Sequence, residues 1–415
     1  MSRTLLVTTC AAVLWTMPVR SSGFSGVAVD PITEWSIAAS TAAAASGMAP
    51  LRTPITLAIL HLAMYDAVNA VTFEREPYAA SPRVVRPASA HAAAIEAGYR
   101  VLVAEFPTQQ TVLDATYEKL LAGVGESPVA RKNGAEIGAG VARTLLALRA
   151  NDGRNAAVPY LPGSGPRAWV PTAPAFLPAT TAFLANVVPF TMDSGAQFRP
   201  AGPPRFRSRK WVEDFTEVKA LGAKDGSART PEQTSTALFW EPLAGTVWPA
   251  TIRRLAREQA LDLTSSSRFQ AAAFAAFADG LIACWDAKFH FNFWRPITAI
   301  RNGDVDGHRR TEADPGWEPL AVTPNFPEYP SGHTCATAAV AYTIDDFFER
   351  DVLIPARNIV SGEERFYSRP SDVVDEVVEA RMLLGLHFRS ADEDGADVGR
   401  KIARQIRRQW FKRRH

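Results

Sequence analysis

Cysteine is nearly absent: Cys10, Cys284 and Cys335 are the only three in 415 residues. The first falls inside a segment that reads as a processed leader, so no disulfide framework is available to the fold. Cys284 and Cys335 each lie beside a motif described below. A bridge between them and a pair of buried thiols are both open, buried thiols being the simpler expectation. A surplus of one charge is lacking too. The chain carries 45 Lys and Arg against 43 Asp and Glu, which argues against nucleic acid as its main partner. The local exception runs from Arg400 to Arg414, eight cations without an acid. Val398, Ile402, Ile406 and Trp410 recur there every four residues, so the expected structure is an amphipathic helix docked by that stripe, its basic face solvated. Long apolar runs are also missing. The stretch Leu5–Trp15 after Arg3 is too short to span a bilayer and suits a signal-peptide core, which predicts a leader over residues 1–28 and a secreted or periplasmic protein. No other segment offers about 18 uninterrupted apolar residues, so no membrane span and a soluble mature protein are expected.

Alternating β-branched runs bounded by turns are scarce as well. What abounds is alanine-rich sequence with apolar residues at three- and four-residue spacing. It predicts helices over Leu51–Val71, Ala88–Glu105, Gln110–Ala122, Val129–Ala150, Ser208–Leu221, Pro231–Trp240, Ala250–Leu263, Ser266–Lys288, Gly332–Glu349, Asp372–Leu384 and Ala391–Lys412. The expected fold is therefore an all-α helical bundle, one domain over residues 29–415 with no internal repeat. Two Pro-rich connections, Val158–Pro204 and Gly303–Pro330, are longer than ordinary loops, and the second leads into the most informative motif.

Three segments in the last third carry chemistry. In the first, Lys288 and Arg295 lie seven residues apart, two helical turns, so both cations are expected on one helix face until Pro296 turns the chain. The second, Pro324 to His333, opens a helix at Ser331-Gly332. Free amides and the positive end of a helix dipole make an anion site there, with His333 beside it as a proton-exchanging group. In the third, Arg381 precedes Gly385 and His387. Gly385 is expected to end a helix and leave His387 in the turn, and Ser390 with Glu393 resembles a capping box for the next helix. A surface cation pair, a plain N-cap and a packed histidine are the bland alternatives for the three.

In this order and spacing, the segments resemble the superfamily of vanadium-dependent haloperoxidases and type 2 phosphatidic acid phosphatases. The pattern there is Lys, six residues, Arg-Pro; then Pro-Ser-Gly-His; then Ser-Arg, five residues, His, three residues, Asp. This chain departs from it twice: Ala380 stands for the serine and Ala391 for the aspartate, with Asp392 one position late. Leu57–Ala70 and Leu238-Phe239-Trp240 also resemble segments of the soluble bacterial haloperoxidase branch, so the likeness runs from about Asp30 onward, its motif-bearing part about 230–412.

The resemblance implies a helical bundle of the haloperoxidase and acid phosphatase type with vanadate as cofactor. Lys288, Arg295 and Arg381 would hold its equatorial oxygens, helped by the Ser331 hydroxyl and the Gly332 N–H. His387 would be the nitrogen bonded to vanadium, His333 the acid–base group, and Lys288 would polarise hydrogen peroxide. Trp285 and Phe326 would wall a halide pocket. The implied partners are hydrogen peroxide, halide and a small organic acceptor, with a homo-oligomer allowed. A phosphoester hydrolase using the same oxyanion pocket is the rival activity. The aromatics around the first motif (Trp285, Phe289, Phe291, Phe293, Trp294) suit halide and peroxide better than a phosphoester. Glu241 and Asp286 are both candidates to orient His333. His61, His91, His290 and His308 lack metal-ligand spacing, and Asp66 and Asn69 read as packing residues.

Overall fold

The computed structural model describes residues 30–242, 244–349 and 351–414. The leader expected over residues 1–28, and Cys10 within it, lie outside the described residues. The expected helices are present, with shifted ends: α2 (Thr53–Thr72), α3 (Ala90–Glu105), α4 (Gln110–Ala122), α5 (Pro128–Leu148), α6 (Arg209–Leu221), α7 (Pro231–Phe239), α8 (Ala244–Glu258), α9 (Leu263–Phe291), α11 (Gly332–Phe348), α12 (Pro370–Leu383) and α13 (Arg389–Gln409). Two more were not anticipated, α1 (Pro31–Ala45) and the short α10 (Pro296–Arg301). The only strands among the described residues form a small hairpin, β1 (Ile354–Arg357) paired antiparallel with β2 (Glu364–Tyr367), Ile354 opposite Tyr367. Four-residue strands are too short to show period-two alternation in the sequence.

α9 is the axis of the bundle. It is buried almost all the way round, as a helix apolar on every face must be. α2 and α11 pack along it, α13 covers α11, and α3 and α5 close the N-terminal side. α2 is the one described helix long and apolar enough to cross a membrane, and 89% of the qualifying window is buried inside the protein. Asp66 and Asn69 on α2 are structural, as expected. Asp66 accepts the amides of Tyr78, Ala79 and Ala80 at 2.6–2.8 Å, and Asn69 bonds Arg75 twice at 2.8 Å.

Two devices set the site end of this bundle. The first is close helix packing. A Cβ on Gly395 would lie 2.7 Å from the Ser331 carbonyl, and one on Gly399 2.6 Å from the Ala339 amide, so α13 presses backbone to backbone against the start of α11. The apolar stripe expected at the C-terminus holds α13 there: Val398, Ile402 and Ile406 are buried and Trp410 packs beside them. At roughly 1.5–3 kcal/mol for each fully buried aliphatic side chain, this stripe outweighs anything the solvated basic face contributes. The second device is the long connection around 158–204, which straps α9. Asp279 of α9 accepts the Phe190 and Thr191 amides at 2.7 Å, and Arg199 forks onto Asp286 at 2.7 and 2.9 Å. A pairing that close removes Asp286 from the candidates for orienting His333.

Candidate oxyanion site

The cations of the first motif do not share a helix face. α9 ends at Phe291, and Asn292 takes a left-handed conformation (φ 48°) with its amide bonded to the Lys288 carbonyl. Arg295 is extended and caps α10, Pro296 being its first residue. The turn nevertheless brings both side chains onto one loop. Lys288 Nζ donates to the carbonyls of Pro327 (3.0 Å) and Glu328 (2.7 Å), and Arg295 Nε donates to that of Phe326 (3.0 Å). Both cations are fully buried. Burial pushes Lys288 down to about 8 and Arg295 down to about 9, because a charged form loses its water there.

Ser331 is the N-cap of α11 and Gly332 its first residue. The first closed turn is Cys335 N–H to Ser331 C=O at 3.1 Å, so the amides ahead of it are free of intrahelical partners. Gly332 is needed because a Cβ there would lie 2.9 Å from the Trp285 ring. Across from this helix end, α12 stops at Leu383 and Gly385 turns the chain at φ 74°. Arg381 therefore sits in the last turn of α12 and His387 in the turn before α13, as the sequence predicts. The predicted capping box does not form. Phe388 is the N-cap of α13, with no side-chain cap bond, while Glu393 pairs with Lys210 at 3.2 Å.

Leu51, Leu281, Trp285, Pro324, Phe326, Gly332, His333, Arg381 and His387 enclose a small cavity with about 30 Å³ open to water-sized molecules. Trp285 and Phe326 meet at 5.1 Å, and Lys288 Nζ lies 5.7 and 5.3 Å from their ring centres. Trp285 and Phe326 thus both line this cavity. The other aromatics of the first motif pack elsewhere: Phe289 on Tyr160, Phe291 on Tyr329, and Phe293 and Trp294 around Trp211. A larger cavity of about 600 Å³ lies between Phe215, Lys219, Arg310 and Trp317, with none of the motif residues in its wall.

His333 Nε2 lies 3.1 Å from the Pro242 carbonyl. A carbonyl only accepts, so Nε2 carries the proton and Nδ1 is left as an acceptor. The orienting group is therefore backbone, and neither Glu241 nor Asp286 has that role. Burial first, and then Arg381, hold this imidazole well below its ordinary 6.5. Arg381 itself donates to the Trp240 carbonyl at 3.0 Å and is pushed down to about 10, mainly by burial. In metal-free protein the NMR titration of His333 is expected below 6.5, and Arg381→Met should move it upward by removing a repelling cation. The unfolded chain then binds more protons than the native one below 6.5, so stability should decrease as the pH is lowered through that window. A His333 midpoint unmoved in the variant would contradict the proximity of the two groups.

His387 Nδ1 lies 3.0 Å from Glu328 Oε1, and its Nε2 lies 3.2 Å from Arg295 Nη1. Glu328, between Pro327 and Pro330 in the motif loop, is a site residue that none of the sequence motifs singles out. Asp392 is fully buried, its carboxyl held far above the usual range by burial, and faces Ser331 and Arg381 instead. Cys284 and Cys335 are buried free thiols, and Cys284 donates to the Pro330 carbonyl at 3.4 Å. Among the described residues no cluster of three His, Cys, Asp or Glu side chains could chelate a metal ion. A tetrahedral oxyanion fits better. Arg295 Nη2 and Arg381 Nε are buried donors without partners, and the buried Ser331 hydroxyl stands beside the Asp392 carboxyl. Arg381 and Gly332, the first residue of α11, line the cavity, with Lys288 and Arg295 against its Phe326 wall, and unpaired buried donors of this kind are costly unless an anion takes them up.

Known proteins place the chain accordingly. Residues 268–413 match the family model of the VCPO second helical-bundle domain. The vanadium chloroperoxidase of Curvularia inaequalis is 30% identical over 182 residues, 36% of this chain and 29% of that protein, so the chain spans under a third of this curated relative. The fold resembles the crystal structure of the first bacterial vanadium-dependent iodoperoxidase, with a TM-score of 0.78 at 22% identity, covering 92% of this chain and 96% of that one. It also resembles holo-type bacterial vanadium-dependent chloroperoxidase, with a TM-score of 0.65 at 18% identity over 87% and 92%. The C-terminal helical bundle, residues 268–413, thus matches the VCPO second helical-bundle domain, and the fold as a whole is similar to those of bacterial vanadium-dependent iodo- and chloroperoxidases.

Proposed function

We propose that the protein is a vanadate-dependent haloperoxidase that turns hydrogen peroxide, halide and a proton into hypohalous acid and water. The observation that carries this reading is the pair of unpartnered buried donors, Arg295 Nη2 and Arg381 Nε, beside a cavity that Arg381 and His387 line. Lys288, Arg295, Arg381, Ser331 and the Gly332 N–H would hold the oxyanion, and His387 would supply the nitrogen ligand. Bound vanadate would supply Lewis-acid activation of peroxide without changing its oxidation state. His333 Nδ1 is free to take a proton from incoming peroxide and return it later. Lys288, fixed by two carbonyls, presents a preorganised positive charge to the same space. The apolar wall of Leu281, Trp285 and Phe326 suits halide and peroxide better than a polar phosphoester. Export over the 1–28 leader, and a secreted or periplasmic location, form part of the same proposal.

Metal-free protein should gain halide oxidation on adding orthovanadate, with inorganic phosphate as competitor, and should hydrolyse phosphoesters poorly. Peroxidase activity that survives vanadium removal, or that vanadate fails to restore, would overturn the reading.

Phe326 sets the expectation for halides. Its ring lies 4.9 Å from the Arg295 guanidinium and 5.3 Å from Lys288 Nζ, so a small anion near it is poorly hydrated and meets no titratable neighbour on that wall. Chloride should be oxidised as well as bromide and iodide. Phe326→His should depress chloride turnover more than bromide turnover, and an unchanged ratio would reduce Phe326 to packing.

A further inference from the structure

The aspartate of the family pattern is missing at 391, where Ala391 has no polar side-chain atom. We propose that Glu328 is the positioning residue that replaces it, fixing the ring proton of His387 on Nδ1 so that the Nε2 lone pair faces the oxyanion cavity. The inference rests on the haloperoxidase reading only for the purpose of that lone pair; the placement of the proton follows from the contacts alone. Arg295 Nη1 lies 3.2 Å from His387 Nε2. A guanidinium has five donors and no acceptor, so Nε2 must accept. The single ring proton therefore sits on Nδ1, 3.0 Å from Glu328 Oε1, and must be donated there.

Glu328 is itself held rigidly. The same Oε1 accepts the Phe388 amide at 3.0 Å, one residue past His387, so ring and backbone are gripped together. Its own carbonyl receives Lys288 Nζ, and Pro327 on one side and Pro330 two residues beyond stiffen the strap. The three-residue segment Phe326-Pro327-Glu328 thus touches Arg295, Lys288 and His387 at once. Asp392 does not substitute, since its carboxyl faces Ser331 and Arg381 rather than His387. Partners behind a metal-bound histidine fix its tautomer and orientation, and losing one typically weakens metal affinity about 10–100-fold.

The test uses the full metal-free chain. Nitrogen-15 NMR of the imidazoles should show His387 as the Nδ1–H tautomer in the wild type. Glu328→Ala should shift it toward the Nε2–H form and weaken vanadate binding, read by direct titration, by about 10–100-fold. Glu328→Gln keeps an acceptor oxygen, so it should preserve the tautomer and lose less affinity than the alanine variant. An Nε2–H wild type, an unchanged tautomer in Glu328→Ala, or equal affinity losses in the two variants would each overturn the proposal. If Glu328→Ala does not fold, the tautomers of the wild type and Glu328→Gln still decide. Should the wild type bind no vanadate, the haloperoxidase reading fails, while the tautomer measurement still judges Glu328.

Discussion

His387→Ala is expected to abolish tight vanadate binding, and His333→Ala to leave binding largely intact while turnover drops by about 10²–10⁴-fold. The two imidazoles line the same cavity and are both held neutral by burial and by the surrounding cations. Their environments differ in which nitrogen is free. His387 turns Nε2, as an acceptor, toward the Arg295 guanidinium. On the proposed reading, removing it would take away the only side-chain bond to vanadium. His333 is tied through Nε2 to the Pro242 carbonyl on the far side. Its free Nδ1 suits proton transfer, and the oxyanion's other donors survive its removal. Vanadate titration of the metal-free variants, followed by turnover at saturating vanadate, separates the two effects. Equal losses of vanadate affinity would mean that the roles have been assigned wrongly.

The parts legible in sequence are those in which neighbours along the chain are also neighbours in space. Ser331-Gly332-His333 reads as a helix start and is one, and Gly385 ends α12 and leaves His387 in the turn. The stripe Val398, Ile402, Ile406 docks α13 because its period matches the helix. Where the reading fails, a long-range contact or a single backbone angle decides. The left-handed Asn292 ends α9 four residues after Lys288 and splits a pair that spacing alone places on one face. Pro242 holds His333 across 91 positions, and Glu328 meets His387 across 59; neither separation leaves a trace in local periodicity. α1 is a different case. Asp30, Pro31 and Glu34 give an ordinary helix start, with Asp30 accepting the Ile32 amide at 3.0 Å, but the alanines and serines behind it show little apolar periodicity. The capping box at Ser390 and Glu393 had the right letters, and tertiary packing overrode it.

Lys288→Ala should cut turnover by about 10²–10³-fold, with a smaller effect on vanadate affinity. On the proposed reading three cations would share the oxyanion, so losing one would leave Arg295 and Arg381 to bind it. Lys288 is distinct in standing over both Trp285 and Phe326 at the apolar wall, where the halide and peroxide would meet. A fixed ammonium there acts on charge that develops during the reaction, which lowers the barrier more than it tightens the ground state. A purely structural role predicts something else. Without the ammonium, the Pro327 and Glu328 carbonyls lose their donor at a cost of about 1–3 kcal/mol, and the loop that carries Glu328 loosens. Vanadate affinity and melting temperature would then fall together with turnover. Lys288→Arg distinguishes the two through pH. Burial holds the lysine at about 8 in the metal-free protein, so its charge is present below that value and lost above it. Initial binding of vanadate to the wild type should accordingly weaken as pH rises through 8. Arginine stays charged, and its variant should keep binding to higher pH even if turnover is poor. Identical alkaline limbs in wild type and Lys288→Arg would show that the limb belongs to another group and that the Lys288 charge does not govern entry of the oxyanion.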